Sequence, residues 1–248
     1  MHQVKPDIEA LSEAIVAYAI ERLRMDPPSL DHPVPQETLE ALAGQTITEE
    51  GLGGEKALRL FIDTLAPACI SEDHPRYLAF VPTAPSEVST LFDLVVGASN
   101  ICASSWLEGA GAVYAENQAL RWISDIAGFP EGAGGVFVSG GTAGNLSALV
   151  AARHDWRQQH PDRAAQRGLI ISSRGAHASI DQAAQVMDAD LVQSGGHQLT
   201  GADVESTIEA LSAEDRGRLF AVACTAGTTN LGVIDDMQGI SNACAKHG

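Results

Sequence analysis

Val138-Ser139-Gly140-Gly141-Thr142-Ala143-Gly144-Asn145 is the stretch whose reading decides the fold. The short apolar run before it, Val136-Phe137-Val138, reads as a buried strand. The Ala- and Leu-rich stretch 143–157 after it reads as a helix. A glycine-rich turn between a strand and a helix is where an α/β protein binds anions. Exposed N–H groups and the helix dipole converge there, and glycines let backbone approach a ligand closely. Thr142 can add a hydroxyl donor. A tight βα turn capped by Thr142 explains the same residues, and spacing alone leaves both explanations open. Neither GxxxxGK[ST] nor GxGxxG occurs in the turn.

Downstream, strands alternate with helices. Strands are expected at 168–172, 189–193 and 219–224, and helices at 176–187, 203–211 and 236–246. That order predicts a parallel sheet with helices on both faces. Upstream the pattern is helical. Ile8, Leu11, Ile15, Tyr18 and Ala19 recur at helical spacing until Pro27 and Pro28. The stretch 50–69 repeats the pattern with Leu58, Phe61, Ile62 and Leu65. A proline-containing linker, 31–36, separates the two. Pro82 and Pro85 punctuate an irregular loop that begins near His74, and helical spacing returns over 86–103 and 111–128. The expected division is therefore a helical segment over 1–85 and an α/β domain over 86–248.

Two further turns carry polar groups at expected strand ends, where open α/β sheets place their ligand crevice. The first is Ser172-Ser173-Arg174-Gly175-Ala176-His177-Ala178-Ser179. A histidine there can stack on a planar ring or move a proton near neutral pH; it can equally be hydrogen-bonded to backbone at a helix N-terminus. The second is Cys224-Thr225-Ala226-Gly227-Thr228-Thr229-Asn230, where Thr228 can donate to a phosphate or ring substituent, or simply form a Thr/Gly turn. Asp235 and Asp236 read as N-caps of the last helix.

Charge and composition exclude several functions. The 248 residues carry 15 Lys plus Arg against 32 Asp plus Glu, a net charge of −17. Such a chain repels phosphate backbones and anionic lipid, so neither nucleic acid nor membrane is an expected partner. No stretch approaches the ~20 apolar residues of a membrane span, and residues 1–10 do not resemble a secretory signal. The 4 cysteines form no CxxC pair and read as reduced thiols in a cytoplasmic protein. The 8 histidines are scattered, so no metal site is expected.

Five stretches taken in order resemble the pyridoxal-phosphate-dependent group II amino-acid decarboxylases. They are His74-Pro75-Arg76-Tyr77 with Phe80-Val81-Pro82-Thr83; Ser105-Trp106 with Glu116; Gly140 to Leu146; Ala176-His177-Ala178-Ser179; and Thr225-Ala226-Gly227-Thr228-Thr229. The resemblance implies the large domain of the aspartate-aminotransferase fold type, preceded by a helical segment that packs on a partner subunit in a homodimer. It implies pyridoxal 5'-phosphate as cofactor and a small amino acid as substrate. Gly141, Thr142 and Ala143 would bind the cofactor phosphate. His177 would stack on its ring and assist proton transfer as the catalytic residue, with Thr228 beside the ring. Tyr77, Phe80, Pro82 and Thr83 would shape the substrate pocket, with Trp106 a further wall candidate. Arg76 would suit an acidic side chain, Tyr77 and Phe80 an aromatic one.

Two parts of the family's pattern have no counterpart. A His-Val-Asp-Ala-like strand, whose aspartate pairs with the pyridine nitrogen, should follow residue 248. A later His-Lys pair should supply the lysine that bonds the cofactor. The lysines present, Lys5, Lys56 and Lys246, do not match that position. The chain is therefore expected to be the N-terminal part of a longer decarboxylase and inactive alone. The alternatives are a non-catalytic fragment and another enzyme of the same fold, an aminotransferase or lyase.

Overall fold

The computed structural model describes residues 8–29, 32–80 and 85–247. They form two compact units, one within Met1–Ala110 and one within Gly111–Gly248.

The first unit is helical. Its elements are α1 (Ile8–Leu23), α2 (Gln36–Ala43), α3 (Gly54–Leu60) and α4 (Glu87–Ser99), and α5 (Trp106–Ile126) begins in it. α3 continues into a wide turn, Phe61–Leu65, and then a tight one, Ala66–Ala68, that contains Pro67. Tyr18 of α1 meets Phe61 edge-on, with ring centroids 6.0 Å apart. Arg22 donates to Asp73 at 2.7 Å, and this bond holds the Asp73 carboxyl below its ordinary range. α4 starts where the Ser86 hydroxyl accepts the Ser89 N–H at 3.2 Å. α5 starts five residues before the expected 111, at Trp106, and is kinked at Gly109. A Cβ at Gly109 would sit 2.6 Å from the Cys102 carbonyl oxygen, so glycine permits that approach. The helix α2 was not anticipated next to the proline linker; Pro35 precedes it, and Gln36 bonds Glu40 one turn on.

The second unit holds a parallel sheet of β1 (Leu169–Ser173), β2 (Asp190–Ser194) and β3 (Leu219–Ala223), in the order β2-β1-β3. Its helices are α6 (Gly141–Gln159), α7 (Ala178–Val186), α8 (Gly201–Ala210), α9 (Ala213–Arg218) and α10 (Met237–His247). β1 is central and buried along its whole length. Period-two alternation divides its side chains. Leu169 and Ile171 join Leu199, Val204, Ile208, Ile240 and Ala243, beneath α8 and α10. Ile170 joins Leu149, Ala183, Ala184 and Met187, beneath α6 and α7. Helices thus cover both faces, as the order of elements predicts. A bulge opposite Leu169 and Ile170 takes up Phe220 as an extra residue in β3.

Two expectations fail here. Residues 136–138 are neither buried nor in a strand: Val136 is 65 %, Phe137 56 % and Val138 42 % exposed. Apolar, β-prone residues form a strand only where another strand offers an edge to pair with, and no described strand bonds to these. The short, charged α9 was not anticipated either. It has no apolar stripe to read and is set by its cap, the Ser212 hydroxyl accepting the Asp215 N–H at 3.0 Å.

Candidate functional site

The glycine turn opens directly into α6. Gly140 precedes the helix and has no side chain to cap it, and the first turn carries no acidic residue. The helical ladder begins with the Gly144 N–H donating to the Gly140 carbonyl at 3.0 Å. The N–H groups of Gly141, Thr142 and Ala143 therefore have no acceptor within the helix. A Cβ at Gly140 or Gly141 would meet nothing within 4 Å, so the space over the helix end is open. Thr142 does not cap the helix, contrary to the simpler explanation of the turn. Leu146 and Leu149 seat α6 on the sheet and so fix where this end points.

His177 sits where β1 hands over to α7. Its Nδ1 accepts the Ser179 N–H at 3.1 Å, which makes it the N-cap of α7. The bland explanation of this histidine is thus correct about Nδ1 and silent about the rest of the exposed ring. Ser179 is fully buried; its hydroxyl lies 2.9 Å from His177 Nδ1 and accepts from Asn145 Nδ2 at 2.8 Å. Asn145 belongs to the first turns of α6, so this bond brings the glycine turn and the histidine loop together. Gly175 allows a second close approach. A Cβ there would lie 2.6 Å from the His197 carbonyl oxygen, and the neighbouring Arg174 N–H donates to the Gly196 carbonyl at 3.1 Å. The loop carrying His177 is thereby pinned to the loop after β2.

Thr228 is 7 % exposed, within the loop after β3. Its N–H donates to the Val233 carbonyl at 2.9 Å, and its hydroxyl accepts the Val233 N–H at 3.1 Å. The hydroxyl hydrogen is left free to donate elsewhere. No hydrogen bond joins Thr228 to His177 or to the α6 turn among the described residues. The two loops are nevertheless neighbours, because β1 and β3 pair in parallel and both loops leave their carboxyl ends.

Asp235 departs from expectation. It does not cap α10; it is 3 % exposed, and its carboxylate accepts the Leu199 N–H at 2.7 Å and the Thr225 N–H at 2.7 Å. It ties the loop after β3 to the start of α8. Asp236 does the capping, accepting the Gly239 N–H at 3.0 Å. Sequence reading gave Asn145, Ser179 and Asp235 no site role. The available signal was their placement: small polar residues within one turn of a candidate glycine turn, a histidine or a threonine loop.

Tyr77 and Phe80 lie in the irregular segment of the first unit. Tyr77 is half-buried, and Phe80 is 77 % exposed with φ 59°. Pro82 and Thr83 lie outside the described residues. Lys56 is in α3, and Lys246 in α10 pairs with Glu205 at 3.0 Å. Among the described residues no group of His, Cys, Asp or Glu could hold a metal ion.

The residues present fit a phosphate-bearing ring. Uncapped N–H groups and open space would receive a phosphate, and a half-free imidazole sits one hydrogen-bonded bridge away. Ser173, at the carboxyl end of β1, adds a buried hydroxyl with no partner among the described residues. A parallel sheet covered by helices on both faces, with an open, uncapped helix end and loops at the strands' carboxyl ends, defines an α/β domain with a candidate phosphate site. The chain belongs to the pyridoxal-dependent decarboxylase conserved-domain family, which matches residues 38–248. It is 30 % identical to an aromatic-L-amino-acid decarboxylase of Bacillus atrophaeus, over 81 % of this chain and 42 % of that protein. It is 26 % identical to an L-2,4-diaminobutyrate decarboxylase of Acinetobacter baumannii, over 81 % of this chain and 44 % of that one. The crystal structure of Oryza sativa TDC with PLP superposes with a TM-score of 0.84 at 18 % identity, over 99 % of this chain and 57 % of that one. The chain thus spans less than half the length of the two curated relatives.

Proposed function

We propose that the chain serves the decarboxylation of an L-amino acid to its amine and CO₂, with pyridoxal 5'-phosphate as cofactor. The observation that carries this is the 2.8 Å bond from Asn145 to Ser179, which sets the uncapped end of α6 beside His177. The N–H groups of Gly141, Thr142 and Ala143 bind the phosphate at the positive end of the helix. When bound, the cofactor's pyridine ring accepts the electron pair left by the departing carboxylate. The His177 ring would stack on that ring and hold a proton at Nε2. Thr228 offers its hydroxyl hydrogen at the next strand's end. The family resemblance is what assigns Tyr77, Phe80, Pro82 and Thr83 to the substrate pocket.

The assembly is a homodimer with residues 1–85 as its dimerisation segment. Ile8, Ile15, Val16 and Ile20 support this, because they leave exposed apolar surface along α1.

In protein isolated from its native host, carboxyl-labelled L-amino acids should yield labelled CO₂ and the matching amine. A keto acid in place of the amine would assign transamination instead. The 248-residue chain alone should bind pyridoxal 5'-phosphate far more tightly than pyridoxal, which lacks the phosphate. It should carry no pyridoxyl adduct in its intact mass after borohydride reduction, because no lysine matches the family's position. Equal affinity for the two forms would overturn the phosphate site.

A further inference from the structure

Three hydrogen bonds decide the protonation of the His177 ring. The Ser179 backbone N–H can only donate, so Nδ1, which receives it at 3.1 Å, carries no hydrogen. The contact of Nδ1 with the Ser179 hydroxyl, at 2.9 Å, must then run from O–H to nitrogen. That spends the hydroxyl hydrogen, so Ser179 Oγ can meet the Asn145 side chain only as an acceptor. Asn145 does turn its NH₂ toward Oγ, at 2.8 Å. The three bonds are mutually consistent in one direction only, from Asn145 through Ser179 to His177.

We infer that Asn145 and Ser179 are positioning residues that hold His177 as its Nε2–H tautomer. The ring's one hydrogen is thereby placed on the nitrogen that makes no hydrogen bond among the described residues. Ser179 is fully buried and Asn145 half-buried, so water does not readily substitute for either donor. Asn145 also belongs to the helix whose N-terminus is the anion site, so one helix orients both the phosphate-binding turn and the imidazole. His177 is consequently a hydrogen-bond donor at Nε2, and an acceptor only at the capped Nδ1. The bearing of this on turnover rests on the cofactor reading above; the tautomer itself does not.

The test is the ¹⁵N spectrum of the histidine rings in the cofactor-free chain at about pH 9, well above the ordinary imidazole range. The His177 signals are assigned by their loss in His177→Gln. The wild-type protein should show a pyridine-type Nδ1 and a pyrrole-type Nε2. In Ser179→Ala the Nδ1 resonance should move, because one of its two donors is gone. Asn145→Asp should move it too, because the new carboxylate takes the Ser179 hydroxyl hydrogen for itself. Ser179→Thr keeps a hydroxyl and should restore the wild-type signal. Should Asn145→Asp fail to fold, the Ser179→Ala and Ser179→Thr pair decides alone. A pyrrole-type Nδ1 in the wild type, or an Nδ1 resonance indifferent to losing the hydroxyl, overturns the inference. No cofactor is present in this experiment. A failure of pyridoxal 5'-phosphate binding with the tautomer pattern intact would therefore strike the cofactor reading only.

Discussion

Asp235 is a buried carboxylate that makes no salt bridge among the described residues. Its charge is met by backbone N–H groups, one from each of two loops, both at 2.7 Å. Hydrogen bonds to an ionised acceptor are the strong kind, and losing one partner leaves the other buried and unmet. Asp235→Asn replaces one accepting oxygen with an NH₂ that faces an N–H. The expected cost is about 1–3 kcal/mol of stability, read as a lower urea midpoint with an unchanged slope. An unchanged midpoint would show that the loops after β2 and β3 hold together without this clamp. The residue also marks a limit of sequence reading. Two adjacent aspartates before a helix look like caps, and one of them is. Only the fold tells which one instead reaches back 36 positions to Leu199.

At the scale of the element, the N-terminus of α6 faces two opposed demands. Helix stability favours a negative side chain in the first turn; a phosphate site excludes it. Although the chain carries 32 acidic residues, that turn has none. Thr142→Asp separates the two demands because Thr142 is exposed and its side chain does not cap the helix. The expected change in stability is a gain of about 0.3–1 kcal/mol from the helix dipole. The expected change in affinity for pyridoxal 5'-phosphate is a loss of at least tenfold, while affinity for phosphate-free pyridoxal stays as it was. Calorimetric unfolding and a binding titration read the two separately; a loss of stability, or retained phosphate preference, would count against the site. The sequence showed this helix, its turn and the central strand because each is set locally or by burial on both faces. Leu169-Ile170-Ile171 could be nothing else. Val136-Phe137-Val138 is equally apolar, yet forms no strand, because pairing is a property of the neighbour as well as of the segment. α9 escaped notice because six charged and small residues carry no hydrophobic period at all.

On the scale of the molecule, two surface properties oppose each other. The net charge of −17 drives copies apart. Apolar side chains pull them together: Ile8, Ile15, Val16 and Ile20 on α1, and Val88, Phe92, Val95 and Val96 on α4, are each between 38 % and 64 % exposed. Patches of that kind mark association surfaces in soluble proteins. Salt acts on only one side of this balance. Raising ionic strength from about 0.01 M to 0.15 M shortens the screening length from about 30 Å to 8 Å, which removes most of the repulsion and leaves apolar burial untouched. Sedimentation velocity should therefore show a dimer whose population grows with salt as well as with protein concentration. Pairing through ionic contacts would weaken along the same series, and a chain that stays monomeric throughout would remove the surface support for the homodimer. Substituting Ile15 and Val16 with serine should abolish the salt-promoted dimer while leaving pyridoxal 5'-phosphate affinity unchanged, because the proposed phosphate-binding turn lies wholly within the second unit. A dimer that survives those substitutions would locate the contact elsewhere, with α4 the next surface to alter.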